Sequence, residues 1–126
     1  MKLIDFQNEA SYLKLSAPAA STSTITGAAV DLLGYQGKVK VTQDVGAVSG
    51  TTPTLNGKIQ DSADGSTGWA DVTGATFTEV TASTNVQSIG VDTRLAKRYI
   101  RYVGTIAGTT PSYTMAVNAV GQKQTL

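Results

Sequence analysis

The chain has 126 residues, enough for one domain of ordinary size, and ten Lys and Arg against nine Asp and Glu leave a net charge of +1. That balance gives no general attraction to nucleic acid or to an anionic membrane. Cys and His are both absent, which excludes disulfides, Cys- or His-based metal sites, and the Ser-His-Asp and HExxH arrangements.

No apolar run approaches the ~20 residues that cross a bilayer as a helix. Asp5, Asn8 and Glu9 interrupt the opening stretch before it can form the apolar centre of a signal peptide. Neither a leader nor a membrane segment is expected. Thr, Ser, Gly, Ala and Val dominate the remainder, and long helix-favouring runs are missing, so the pattern predicts strands and turns.

Residues 1–24 stand apart. Ile4, Phe6, Tyr12, Leu13 and Leu15 follow no clean period, so residues 1–15 read as an arm, a short helix or a first strand. Two readings stay open for this segment: a frayed terminus, or an arm that docks on another subunit. SAPAASTST (residues 16–24), with Pro18, reads as an extended linker. The boundary is therefore placed at 24/25, with an arm and linker over 1–24 and a β-sandwich domain over 25–126.

Strand patterns begin at Ile25. Val30 and Leu32 share one side. Val39, Val41 and Gln43 share a face, as do Leu55, Gly57 and Ile59. DSADGSTGW (61–69) is a turn carried by Asp64-Gly65. Val72 and Phe77 lie in an extended stretch. Gln87, Ile89 and Val91 form a further face, then Ile100, Tyr102 and Ile106, then Tyr113, Met115, Val117 and Ala119. The count is seven or eight strands and no clear helix. The predicted class is all-β, a single antiparallel β-sandwich, jelly-roll-like or immunoglobulin-like, with an extended N-terminal arm.

Two stretches nearly repeat each other: VGAVSGTTPT at 45–54 and VGTIAGTTPS at 103–112. Gly50 and Gly108 can take positive φ, and Pro53 and Pro111 suit a turn or the first residue of a strand. The reading is two β-hairpins, 38–62 and 99–120, each with a loop of four to six residues. A phosphate cradle is not expected, because the Lys and the following helix of a P-loop are missing.

Candidate chemistry is sparse. Asp61, Asp64 and Asp71 crowd one turn, but Ala63 and the lack of a closing Glu break the EF-hand pattern. Asx-turn hydrogen bonding accounts for Asp61 and Asp64 without a metal. With Glu79 the same carboxylates could be read as a glycosidase pair, yet no cleft frames them. Trp69, with Tyr35 or Tyr113, could stack on a sugar or cover the rim of the core. Arg94, Lys97, Arg98 and Arg101 hold four of the ten basic residues within eight positions. They read as a solvated loop or as a patch that pairs with an acidic protein surface, with Arg98 and Arg101 as the first anchors to test. No enzyme and no cofactor are expected.

GKVKVTQDVGAVSGTTPTL (37–55), IQDSADGSTGW (59–69) and RYIRYVGTIAGTTPSYT (98–114) together resemble the small β-sandwich structural proteins of tailed bacteriophages, above all capsid cement or decoration proteins. The similar stretch covers residues 25–121, and the arm matches no motif of that group. The resemblance implies a non-enzymatic virion protein, made in the host cytoplasm. It would bind the outer surface of the phage head and lock neighbouring major capsid protein subunits. Its partners would be the major capsid protein and further copies of itself, as dimers or trimers, with no nucleic acid and no membrane. The arm (Leu3, Ile4, Phe6, Tyr12, Leu13) and the basic loop (Arg94, Lys97, Arg98, Arg101) are then the expected contacts. The alternative is a tail or fibre β-sandwich module that binds host surface glycans through Trp69.

Overall fold

A computed structural model describes residues 9–124. The strands are β1 (Ala10–Ser21), β2 (Ile25–Thr26), β3 (Val30–Asp31), β4 (Tyr35–Ser62), β5 (Ala70–Thr76), β6 (Asn85–Asp92) and β7 (Tyr99–Lys123). Every pairing is antiparallel, and all strands belong to one sheet in the order β1-β7-β4-β5, with β2 and β3 also on β7 and β6 on β4. The all-β antiparallel class read from the sequence is the one the chain adopts.

β4 has 28 residues and β7 has 25, and they pair with each other from Tyr35↔Lys123 to Ser62↔Tyr99. A straight 28-residue strand would be roughly 90 Å long, whereas a compact chain of this size has a radius of gyration near ~14 Å. Both strands therefore bend. Beyond one shift at its start, between Gln36 and Lys40, the ladder shifts register between Val45 and Val48, between Ser49 and Thr51, and between Thr51 and Thr54. These last three shifts fall in the repeated stretch, so the repeat corrects the hairpin reading. Neither 38–62 nor 99–120 folds back to pair with itself; each is one bent strand, and its partner is the other. The reason is local. Gly50 (φ 110°) and Gly108 (φ 124°), each with a Thr two residues further on (Thr52 and Thr110) at φ 47° or 46°, turn the strand like a bulge without reversing it.

The bend folds the sheet over itself, sandwich-like. One layer runs β1, the C-terminal half of β7, the N-terminal half of β4, and β6. The other runs β5, the C-terminal half of β4, the N-terminal half of β7, and β2 with β3. The two faces meet in one core. Val39, Val41 and Val45 lie in it with Leu55 and Ile59, Ile100 and Tyr102, and Tyr113, Met115 and Val117. Buried Tyr102 donates its hydroxyl to Gln43 Oε1 at 2.6 Å, from one layer to the other. Tyr113 donates to the carbonyl of Val80 at 2.6 Å and closes a side of the sandwich. The alternating faces read from the sequence are the buried ones.

The segment read as a linker needs a second correction. Residues 16–21 belong to β1, which pairs with β7 from Ala10↔Gln122 to Ser21↔Tyr113. Leu15 is in the core at 1% exposure. Small side chains carry no pattern, but backbone pairing does not require them to. Pro18 is tolerated because it falls in the register shift between Ser16 and Ala19, where no ladder hydrogen bond is due.

Candidate partner-binding end of the sandwich

The end opposite the bend carries Asp31, Asp61, Asp92, Arg94, Lys97 and Arg98. β1 begins there opposite Gln122, β4 begins opposite Lys123, and β6 ends opposite Lys38. Backbone bonds extend the strand pairings within each layer at this end: Gln124 N–H to Gly34 O, Leu32 N–H to Arg98 O, and Thr93 N–H to Gly37 O.

The basic loop is built by two aspartates. Asp92 accepts the Arg94 N–H at 2.9 Å on its side chain, and its carbonyl accepts from Leu95 and Ala96, which winds one tight turn. Asp61, only 8% exposed, accepts the Lys97 N–H at 3.0 Å and pins the far side of the loop. Asp61 is thus a brace between strand and loop, not part of an Asx turn. Asp64 does form one, accepting the N–H groups of Ser66 and Thr67 and the hydroxyls of Thr67 and Ser62. These donors hold its carboxyl well below the usual range.

The cations are largely engaged. Arg98 forms a two-pronged pair with Asp31 at 3.0 and 2.9 Å and lies over the Tyr99 ring. Arg94 pairs with Asp92 at 3.2 Å. Each arginine's hydrogen bonds lower the pKa of its aspartate. Among the described residues, the Lys97 ammonium forms no ion pair. Leu33 (69% exposed) and Leu95 (84%) stand beside these charges. A hollow of ≈ 250 Å³ lies beside Leu33, lined by Leu32, Leu33, Tyr35, Ala96, Lys97 and Arg98. Both leucines were missed in the sequence; Leu33 lies in the turn between β3 and β4, past the end of the strand.

The predicted contact residues divide. Arg94, Lys97 and Arg98 belong to this end. Tyr12, 76% exposed, is on β1 near it, opposite Val120. Leu13 is turned inward against the core. Leu3, Ile4 and Phe6 lie outside the described residues. Arg101 is not in the loop: it is on β7, with Nε and Nη2 donating to Gln60 Oε1 at 3.0 and 2.8 Å. Its guanidinium sits 4.3 Å from the centre of the Trp69 ring. Gln60 passes the row on to Asp71 at 2.9 Å, and Asp71 pairs with Lys58 at 3.0 Å.

The carboxylates grouped by sequence are separated by these bonds. Asp61 faces the loop, Asp64 its own turn, Asp71 Lys58 and Gln60, and Glu79 the Asn56 amide. Among the described residues, no three acidic side chains gather as metal ligands. No protein-family model matches the chain, and no curated protein matches it.

Proposed function

We propose that this chain is a structural virion protein, a capsid cement or decoration protein that fastens to the outside of a phage head through the end opposite its bend. One observation carries the reading. The start of β1, the loop bearing Arg94, Lys97 and Arg98, and the exposed Leu33 and Leu95 converge on one end of a rigid double layer. Apolar side chains ringed by arginines are the composition of protein-contact anchors. The partner is the major capsid protein. Its many identical copies around a closed shell multiply a modest contact, so no single site needs high affinity. The job is non-enzymatic, and it is done on the virion surface.

The test is add-back binding to heads assembled without this chain. Wild type should saturate the heads at a fixed ratio to the major capsid protein, and a Leu33→Asp, Leu95→Asp double variant should not. Equal binding of the two would remove this end from the reading.

A second reading has its own observation. The row Trp69, Arg101, Gln60, Asp71 and Lys58 is an ordered aromatic and polar strip on the outer face of the other layer. It suits a tail or fibre module that binds host glycans. Trp69 is the only tryptophan, so titration with surface polysaccharide and tryptophan fluorescence reads that strip alone. A saturable change in emission supports the glycan reading, and a flat trace removes it.

A further inference from the structure

An antiparallel sheet that is not closed has edges, and an edge strand offers unpaired N–H and C=O groups to any passing strand. Among the described residues the fold has four such edges. Three carry protection. β1 is broken by two register shifts and holds Pro18 and Lys14. β2 and β3 have two residues each. β5 has a register shift against β4, and its Gly74 has φ 77°.

β6 has none of these devices. Its eight residues pair with β4 in unbroken register from Asn85↔Val45 to Asp92↔Lys38. It contains no Pro, Lys or Arg, and Asp92 at its end is the only charge. Alternate residues turn their backbone groups away from β4. Among the described residues, no hydrogen bond from outside β4 reaches the backbone of residues 85–91. Val86 stands on this strand 64% exposed.

We propose that β6 is a dimerisation edge: two copies of the chain pair their β6 strands antiparallel across a two-fold axis, which makes one continuous sheet of two layers. The inference does not rest on the virion reading.

The pattern of β6 selects the second copy and the register. Val86, Ser88 and Gly90 face outward, and Gln87, Ile89 and Val91 face the interior side. A two-fold pairing that keeps both faces matched must centre on Ser88 or on Ile89. Centring on Ile89 would set Val86 against Asp92, which already holds Arg94. Centring on Ser88 sets exposed Val86 against Gly90 of the second copy, twice by symmetry, and opposes no like charges. Gly90 has no side chain to clash. It borders a hollow of ≈ 240 Å³ lined also by Lys38, Val72, Thr73, Val91, Asp92 and Leu95. The interface is isologous, as a two-fold requires.

Light scattering on the purified full chain tests this. Wild type should run at twice the chain mass of 13.0 kDa. Val86→Lys should run at the single mass, because a lysine on the edge blocks further pairing. Ser88→Lys alone and Ser88→Glu alone each oppose like charges at the axis and should also be single. Mixing those two should restore the double mass. Thermal melting of each variant separates lost pairing from lost folding. A wild type at the single mass overturns the proposal, as does a dimer that survives Ser88→Lys. Two folded Ser88 variants that fail to recombine overturn the register.

Discussion

Gly50 and Gly108 occupy each other's corner. A Cβ on Gly50 would stand 2.7 Å from the carbonyl oxygen of Thr110 and 2.9 Å from Cα of Pro111. A Cβ on Gly108 would stand 2.8 Å from the carbonyl oxygen of Thr52 and 2.9 Å from Cα of Pro53. The repeat in the sequence is thus a pseudo-two-fold contact in space, where both long strands pass from one layer to the other.

Either glycine changed to Ala should destabilise the fold by at least about 2 kcal/mol, since positive φ and backbone collision act together. Gly74→Ala is the control, with φ 77° but nothing within 4 Å of its Cβ. It should cost about 1 kcal/mol. Denaturant midpoints at constant slope read the difference. Equal costs at the three sites would mean that the corner is not tightly packed.

Tyr102 and Gln43 form the buried cross-layer bond, and Gln43 Nε2 has no partner among the described groups. Tyr102→Phe should cost about 1–3 kcal/mol by leaving the amide wholly unpaired. Adding Gln43→Leu should recover part of that loss, so a double-mutant cycle should show coupling of about 1 kcal/mol or more. Burial also pushes the Tyr102 phenol well above its ordinary value. The folded state then holds the proton more tightly than the unfolded state. The contribution is whole below the unfolded value of about 10 and is lost as pH rises beyond it. Tyr102→Phe should lose less stability than wild type on that alkaline limb.

Acid should act with the opposite sign. The hydrogen bonds of Asp64, the Gln60 and Lys58 bonds to Asp71, and the arginine bonds to Asp31 and Asp92 lower all four carboxyls. The unfolded chain takes up protons first, near about pH 4, so stability is whole above that and falls as pH drops through the lowered values. Asp64→Asn should melt lower than wild type at neutral pH, and the gap should close on acidification. A gap that is constant with pH would mean that the charge of Asp64 contributes nothing.

Trimming should be abrupt in its effect. Removing residues 1–9 leaves every described strand intact, so melting should stay cooperative and attachment to heads should weaken. Removing residues 1–15 takes half of β1 and buried Leu15. The midpoint should then fall sharply, by the several kcal/mol that loss of a core leucine and its ladder brings (about 2–5 for the leucine alone). Matched melting curves for the two truncations would contradict the placement of β1 in the sheet.

The buried faces were legible because a half-buried strand alternates with period two, and Val39, Val41, Leu55, Ile59, Tyr113 and Val117 keep that period. The corner was not. G-T-T-P has the chemistry of a hairpin turn, and what straightens it into a bend is a second G-T-T-P brought opposite by the fold. The second half of β1 was hidden for a related reason: Ala17, Pro18, Ala19 and Ala20 show no alternation, and the strand is held by backbone pairing. At the candidate site, the loop charges were legible by their density. Arg101 was grouped with them by proximity along the chain, but strand alternation sends it to the outer face beside Trp69. Leu95 was lost among polar neighbours and Leu33 in a turn beside buried Leu32, where a single exposed leucine carries no period.

Density-gradient fractionation of lysate from the source, with mass spectrometry of each fraction, bears on the attachment reading before any variant is made. The chain should sediment with phage heads, filled or empty, in hundreds of copies and at a fixed ratio to the major capsid protein. Recovery with tails alone, in a handful of copies per particle, or as free protein at the top of the gradient would contradict it.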